Sequence, residues 1–492
     1  MAGLLQYFWA EARQHKETIV IFSRYPVPGK AKTRLIPLLG DAGAALAQRF
    51  MTEHILDVVH RFQCQHQSVR VEIQYYGGTD SEMRYWMDRR VEKKLSWKPQ
   101  RGDTLGDKIK NAFEDHFAQG EERVLVVGSD IPGISVEILE EALDMLRSEA
   151  SQMVLGKALD GGYYLVGLQR KTQGQLDELF AGMDWGTDKV FRQQCQAADR
   201  AGITTNVLTA QLQDVDLPED IKEFEKVIGV SSDSLRTPKL SVVIPTLNEA
   251  RTIGSCIQRL LEQCSDTNML GEIIIADGGS KDDTLTLIEQ LQDGTNVPII
   301  AINCDKGRGV QLNAGAKAAT GDIVLFLHAD TKLPDDFHVS ILSCLNTPGN
   351  VAGAFPFDVY FSDGFEPSFL FGIQMDIVKW GARQRNIKME LPYGDQGIFL
   401  RRQILEKIGG VPETLLFEDF ILVEKLKQIG HVAITDSEPA RTSARRWEEN
   451  GVIKTTGSNY LFVVGYKLGI HPDTLAAWYY GKFKPVTQPQ QT

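Results

Sequence analysis

LSVVIPTLNEARTIG, residues 240–254, and EIIIADGGSKDDT, residues 272–284, are the stretches whose reading decides the fold. Each begins as a short run of β-branched residues, breaks into polar sequence containing Gly or Asn, and leads into a longer amphipathic stretch. TIVIFS (18–23), VLVVGSD (124–130) and IVLFLHAD (323–330) repeat the pattern. Such alternation predicts an α/β fold of parallel strands with helical crossovers that cover both faces of the sheet.

At 492 residues the chain is too long for one hydrophobic core, so two domains are expected. GVSSDSLRTPK, residues 229–239, has no hydrophobic period and reads as the boundary. The expected organisation is therefore a domain over 1–228, a linker over 229–239, a domain over 240–484 and an unstructured tail over 485–492. LLQYFWA (4–10) is followed at once by charged residues, which suits an amphipathic helix and not a secretory signal. No apolar run reaches the length of a membrane-spanning helix.

A net charge of −12 argues against nucleic acid as a partner. The six cysteines form no CxxC pair and no zinc-ligand spacing, so they read as reduced thiols of a cytosolic chain. Each half opens on an apolar strand and carries a later strand ending in an acid, Asp130 and Asp330. Ligands of open α/β sheets sit beyond the carboxyl ends of strands, although such an Asp can equally cap the next helix.

In the second half, Asp277 and two glycines close one strand, and KGRGVQLNAGAKAATGD (306–322) places Lys306 and Arg308 before a helix, a plausible cradle for diphosphate. Neither a Walker loop nor a GxGxxG after a strand is present. His328-Ala329-Asp330 ends a further strand, where a carboxylate suits a divalent cation. Further on stand LPYGDQGIF (391–399), FEDFILVEKLKQIG (417–430) and SARRW (443–447). Taken singly, these read equally well as a turn, an amphipathic helix with an acidic first turn, and a charge pair beside an aromatic.

In this order the motifs from 239 to about 450 resemble a family 2 glycosyltransferase of the GT-A fold, and most closely its subgroup named for arsenosugar biosynthesis. The resemblance implies a nucleotide-sugar donor bound by Pro245, Asn248, Glu249, Asp277, Lys306, Arg308, Asn313, Arg446 and Trp447. It implies Mg2+ or Mn2+ held by Asp330, with His328 standing where the family's DXD motif has its first Asp. It places Glu418 and Asp419 in the ED pair, with Asp419 as base in an inverting transfer, and Asp395 on the acceptor side. Ser443 replaces the Gln of the QxxRW signature, which argues against processive polymerisation. The acceptor is a small molecule or a lipid; for a lipid, the chain would lie at the membrane surface, with aromatics around Tyr460–Tyr480 as an interfacial belt.

The first half carries RYPVPGKAKTRL (24–35), with Lys30, Lys32 and Arg34 on a loop suited to phosphate recognition, and the acids Asp103, Asp130 and Asp216. An exposed basic turn is the plain alternative. Residues 17 to about 228 resemble GT-A-like nucleotidyltransferases, especially the branch of 2-phospholactate guanylyltransferase. That resemblance implies an NTP, with magnesium between Asp130 and Asp216. The whole chain is thus expected to hold two tandem GT-A (Rossmann-like) nucleotide-diphospho-sugar transferase domains, the first of them either activating a sugar phosphate or serving as a non-catalytic nucleotide-binding module.

Overall fold

The computed structural model describes residues 16–89, 95–266, 268–292 and 294–479. The expected helix over 4–10 and the expected tail over 485–492 lie outside them. The chain divides into two compact units between Arg236 and Thr237.

The N-terminal unit is built on a seven-stranded sheet of β1 (Glu17–Arg24), β2 (Arg70–Tyr76), β3 (Leu95–Pro99), β4 (Arg123–Gly128), β5 (Met153–Lys157), β6 (Tyr163–Gln169) and β7 (Thr205–Val207), in the order 3-2-1-4-6-5-7. The C-terminal unit repeats the order with β8 (Leu240–Thr246), β9 (Leu270–Asp277), β10 (Ile299–Asn303), β11 (Ile323–Phe326), β13 (Asn350–Ala354), β15 (Ile398–Arg401) and β16 (His431–Ile434), arranged 10-9-8-11-15-13-16. A second small sheet pairs β12 (Thr331–Lys332), β17 (Ala440–Ser443) and β14 (Phe357–Tyr360). Both units are therefore mixed α/β with Rossmann-like sheets.

The helices that matter for the site and its surroundings are α1 (Ile36–Gln65) and α2 (Leu105–Ala118) in the first unit, and α3 (Arg308–Ala318), α4 (Phe369–Met389), α5 (Glu418–Leu426) and α6 (Val452–Lys467) in the second. The β-branched runs are buried on both faces, as strands covered by helices must be: Ile19, Val20 and Ile21 are all fully buried, and so are Val242, Val243 and Ile244.

Two features depart from the sequence reading. The sheets are not wholly parallel, because β6 runs antiparallel to β4 and β5, and β15 antiparallel to β11 and β13. Only the turn Ala158–Gly162, with Gly161 at φ 93°, joins β5 to β6. A connection that short cannot make a parallel crossover. The stretch 229–239 is also not a bare linker. Ser232–Arg236 forms a short helix, and Val230 and Leu235 are buried in a cluster with Leu39 and Leu46 of α1. Two apolar side chains among eleven residues are too sparse to show a period, yet enough to pin a segment.

Beneath the first sheet, α2 places His116, fully buried, between Glu72 at 3.1 Å and Glu121 at 2.8 Å, with Lys98 2.8 Å from Glu72. Burial opposes charge on both partners, but the hydrogen bonds outweigh it. His116 is held above its ordinary value, and Glu72 is lowered to about 2. The Glu72 contribution is present above the ordinary carboxylate range and lost as pH falls toward 2; the His116 contribution is present below the ordinary imidazole value and lost as pH rises through its raised one. His116→Ala takes a buried partner from both carboxylates, leaving Lys98 and Arg70 on Glu72 and Arg70 on Glu121, and is expected to cost about 3 kcal/mol at neutral pH, measured by urea denaturation of the N-terminal transition.

Candidate active site

Crossing from β10 back to β11 reverses the winding of the second sheet between β8 and β11, and the crevice beyond their carboxyl ends is where ligands of such sheets lie. A cleft of about 1830 Å³ opens there. Its floor is the end of β8, with Pro245 and Thr246, followed by Glu249. Gln311 of α3, a buried residue of the 306–322 stretch that the sequence reading did not single out, donates to the carbonyls of Thr246 (2.7 Å) and Ala276 (2.8 Å), so one amide locks the ends of two strands. Lys306, Gly307 and Arg308 line the cleft at the start of α3, where a helix N-terminus without a side-chain cap and two cations favour an anion.

β11 delivers His328 and Asp330 to the same cleft. Burial, and then the nearby Arg308 charge, pushes the His328 imidazole down to about 3, so it is neutral. Burial raises the Asp330 carboxyl, against the pull of Arg445 and Arg308. Among the described residues no side chain hydrogen-bonds or ion-pairs with that carboxylate. The pairing of β12 with β17, Thr331 opposite Thr442, carries SARRW alongside, and the Ser443 amide donates to the Asp330 carbonyl at 3.2 Å. Arg445, Arg446 and Trp447 consequently line the cleft, with the Trp447 indole held by Thr456 at 3.2 Å.

Asp395 and Asp419 line the same cleft, with Asp419 next to His328. Asp419 accepts from the Gly394 amide (2.7 Å) through one oxygen and from the Phe420 amide (2.7 Å) through the other, which fixes its orientation. A Cβ on Gly394 would stand 3.0 Å from His328 Nε2 and 3.3 Å from Asp419 Oδ2, so glycine lets the wall close on both groups. Asp395 Oδ1 is buried without a hydrogen-bond partner, and burial together with the Asp419 and Asp330 charges lifts its carboxyl to about 6, against Arg385.

Four expected donor or catalytic residues are used differently from the sequence reading. Asp277 is fully buried, and its carboxylate is taken up by the Gly279 and Ser280 amides (2.9 and 2.8 Å) and the hydroxyls of Thr246 and Ser280, so it anchors a loop and leaves no free acceptor for a base or ribose. Asn248, at φ 59°, ties the same two loops together, accepting from the Lys281 amide at 2.8 Å. Asn313 is buried against Glu413, away from the cleft. Glu418 is 2% exposed and pairs with Arg308 at 3.2 Å.

In the N-terminal unit the expected phosphate-binding cations and the expected metal-binding acids meet each other. Lys32, at φ 46° and nearly buried, reaches Asp130 at 3.1 Å and Asp216 at 3.6 Å, while Arg34 pairs with Asp216 at 2.7 Å. The ammonium holds Asp130 low in spite of burial. Asp214, which precedes Asp216 on the same loop, is raised to about 6 by burial and by Asp160 and Asp130. Lys30 and Asp103 are exposed. Sequence position shows that opposite charges lie on neighbouring loops, but not that they neutralise one another.

Strand ends, a cationic helix start and converging carboxylates make this the ligand-binding edge of an α/β sheet, and the comparisons with known proteins divide along the two units. Residues 241–409 match the family glycosyl transferase family 2, and residues 60–187 match a family described as uncharacterized protein conserved in bacteria, DUF2064. Over 99 residues the chain is 32% identical to an undecaprenyl-phosphate 4-deoxy-4-formamido-L-arabinose transferase of Pseudomonas fluorescens, covering 20% of this chain and 29% of that protein. Over 93 residues it is 41% identical to an uncharacterized glycosyltransferase of Nostoc, covering 19% and 28%. The chain thus spans less than a third of the length of these curated relatives. Among solved structures, a mannosyltransferase of Pyrobaculum calidifontis in complex with GDP-Man and Mn2+ aligns with a TM-score of 0.34 at 18% identity, over 50% of this chain and 69% of that one.

Proposed function

We propose that the C-terminal unit is a metal-dependent glycosyltransferase that moves a sugar from a nucleotide-sugar donor to an acceptor hydroxyl with inversion. The observation that carries this reading is the convergence, in one cleft, of Asp330, Asp395 and Asp419 with the cationic start of α3. The donor diphosphate lies against Lys306, Arg308 and the α3 amides, with Arg445 and Arg446 across from them. Asp419, its two oxygens already oriented by amides, takes the proton of the acceptor hydroxyl, which is the task of a general base. Asp395 receives the acceptor's hydrogen bond. Glu418 does not touch substrate; it holds Arg308 in place.

The residues present fit a divalent cation. Among the described residues no three His, Cys, Asp or Glu side chains are gathered as a protein-only metal site. Magnesium characteristically takes one or two carboxylates and completes its shell with water and substrate phosphates, and Asp330, beside a neutral His328, is a carboxylate in need of such a partner. Bound there, Mg2+ or Mn2+ supplies positive charge that offsets the leaving diphosphate.

A thermal-shift panel of UDP-, GDP-, ADP- and dTDP-sugars with and without Mn2+ tests the reading, since a ligand that binds only the folded state raises its apparent stability. One nucleotide is expected to shift the C-terminal transition by several degrees, and only with metal. A flat panel removes the proposal.

For the N-terminal unit, the Lys32 ammonium between Asp130 and Asp216 favours a nucleotide-binding module over a catalytic nucleotidyltransferase, because a cation already stands where magnesium is required. Run with NTPs and Mg2+, the same panel is expected to shift the N-terminal transition without release of pyrophosphate. Pyrophosphate release in the presence of a sugar phosphate restores the catalytic reading.

A further inference from the structure

Helix α4 is apolar on two sides. Phe371, Met375 and Val378 pack into a cluster with Val359 and Val452, as a core-facing stripe should. On the other side Phe369, Leu370, Ile373, Ile377, Trp380 and Ile387 face solvent, with Phe369 87% and Trp380 64% exposed. At 100° per residue these six fall within about a 100° arc, so they form one stripe. Its neighbour α6 repeats the arrangement with Ile453, Tyr460 and Leu461, continued just past its end by Leu468, 79% exposed.

Exposed cations stand at the edges of both stripes: Arg383 and Lys388 on α4, Lys454 and Lys467 on α6. This is the layout of helices that lie in a membrane interface, with apolar residues sunk among acyl chains and basic residues reaching the head groups. α4 and α6 together carry six cations and a single acid, Asp376, in a chain of net charge −12. A second copy of the chain is a poor occupant, since a symmetric contact would set these cations against their own copies. An anionic lipid surface complements them. Among the described residues no helix is long and apolar enough to cross a membrane, so the contact is with its surface.

Both helices also wall the cleft. Ile377 and Trp380 of α4 and Tyr460 and Val463 of α6 line it, so the apolar face runs without interruption into the site. We propose that the joint outer face of α4 and α6 docks the C-terminal unit on an anionic bilayer, and that the acceptor is an amphiphile anchored in that bilayer whose head group enters the cleft between the two helices. The docking stands on the surface alone; the acceptor rests on the glycosyl-transfer reading above.

The test is flotation of the full chain with phosphatidylethanolamine vesicles containing phosphatidylglycerol, beside vesicles of phosphatidylcholine alone. The wild type is expected to float with the anionic vesicles, less so at high salt, and poorly with the neutral ones. Leu370→Glu with Ile453→Glu, neither of which lines the cleft, is expected to lower partitioning by about 100-fold, while circular dichroism and the metal-dependent donor shift stay unchanged. A wild type that does not float, a double variant that floats equally well, or a dimer dissolved by the same substitutions without any vesicle binding overturns the proposal. Vesicle binding without a donor shift leaves the docking standing and removes the transfer reading.

Discussion

Asp330→Asn is expected to lower sugar transfer by about a thousandfold while leaving the protein folded. The size follows from what the carboxylate is for: removing one charge-stabilising group from a water-poor site costs about 3–4 kcal/mol of transition-state stabilisation. Stability should move the other way. Burial raises the Asp330 carboxyl, so the ionised group is a cost to the fold without its partner cation, a cost that grows as pH rises through the raised value and that an amide does not carry. The variant should therefore melt no lower than the wild type near neutral pH without metal, and should lose the Mn2+-dependent increment in melting temperature. The check is a paired measurement of transfer rate and thermal shift across a manganese titration. Retained metal response with lost activity would move the cation elsewhere, and full activity would take the cation out of the proposed chemistry.

The strand alternation was legible because a sheet covered on both faces demands runs such as Ile-Val-Ile and Val-Val-Ile, and the acids at the ends of β4 and β11 were legible because chemistry in such sheets collects at carboxyl ends. What escaped was mostly pairing. Asp277 and Asn248 look like donor ligands by type and place, but two loops leaving adjacent strands need internal hydrogen bonds to hold their shape, and these side chains supply them. Lys32 and Asp130 are 98 residues apart. Each has a sensible ligand of its own until the fold sets the ammonium 3.1 Å from the carboxylate. The wall formed by α4 escaped for a different reason, whereas part of α6 falls in the aromatic stretch from Tyr460 that the sequence already marked. A helix apolar on both sides shows only a weak amphipathic signal, and which side meets the core depends on contacts far along the chain.

Asp419→Asn is the sharper probe of the acid–base assignment. Asn can keep an oxygen toward the Gly394 amide, so the wall between His328 and Asp419 has reason to stay closed, while the capacity to take a proton is gone. A general base contributes about 10²–10⁴-fold, and with the acceptor hydroxyl otherwise far too weak an acid the upper part of that range is expected in kcat, with the KM for the donor within about twofold of wild type. Glu418→Gln is the matched control. Glu418 is buried against Arg308, so its loss should act through the donor phosphates: KM rises, and kcat falls by about tenfold at most. Steady-state kinetics on both variants, with donor hydrolysis measured alongside transfer, separates the two roles. If Asp419→Asn costs no more than Glu418→Gln, the proton goes elsewhere, and Asp395 is the carboxyl positioned to receive it. Its buried oxygen has no partner in the protein, and its raised value of about 6 strengthens it as a base once ionised, with activity rising as pH climbs through that value.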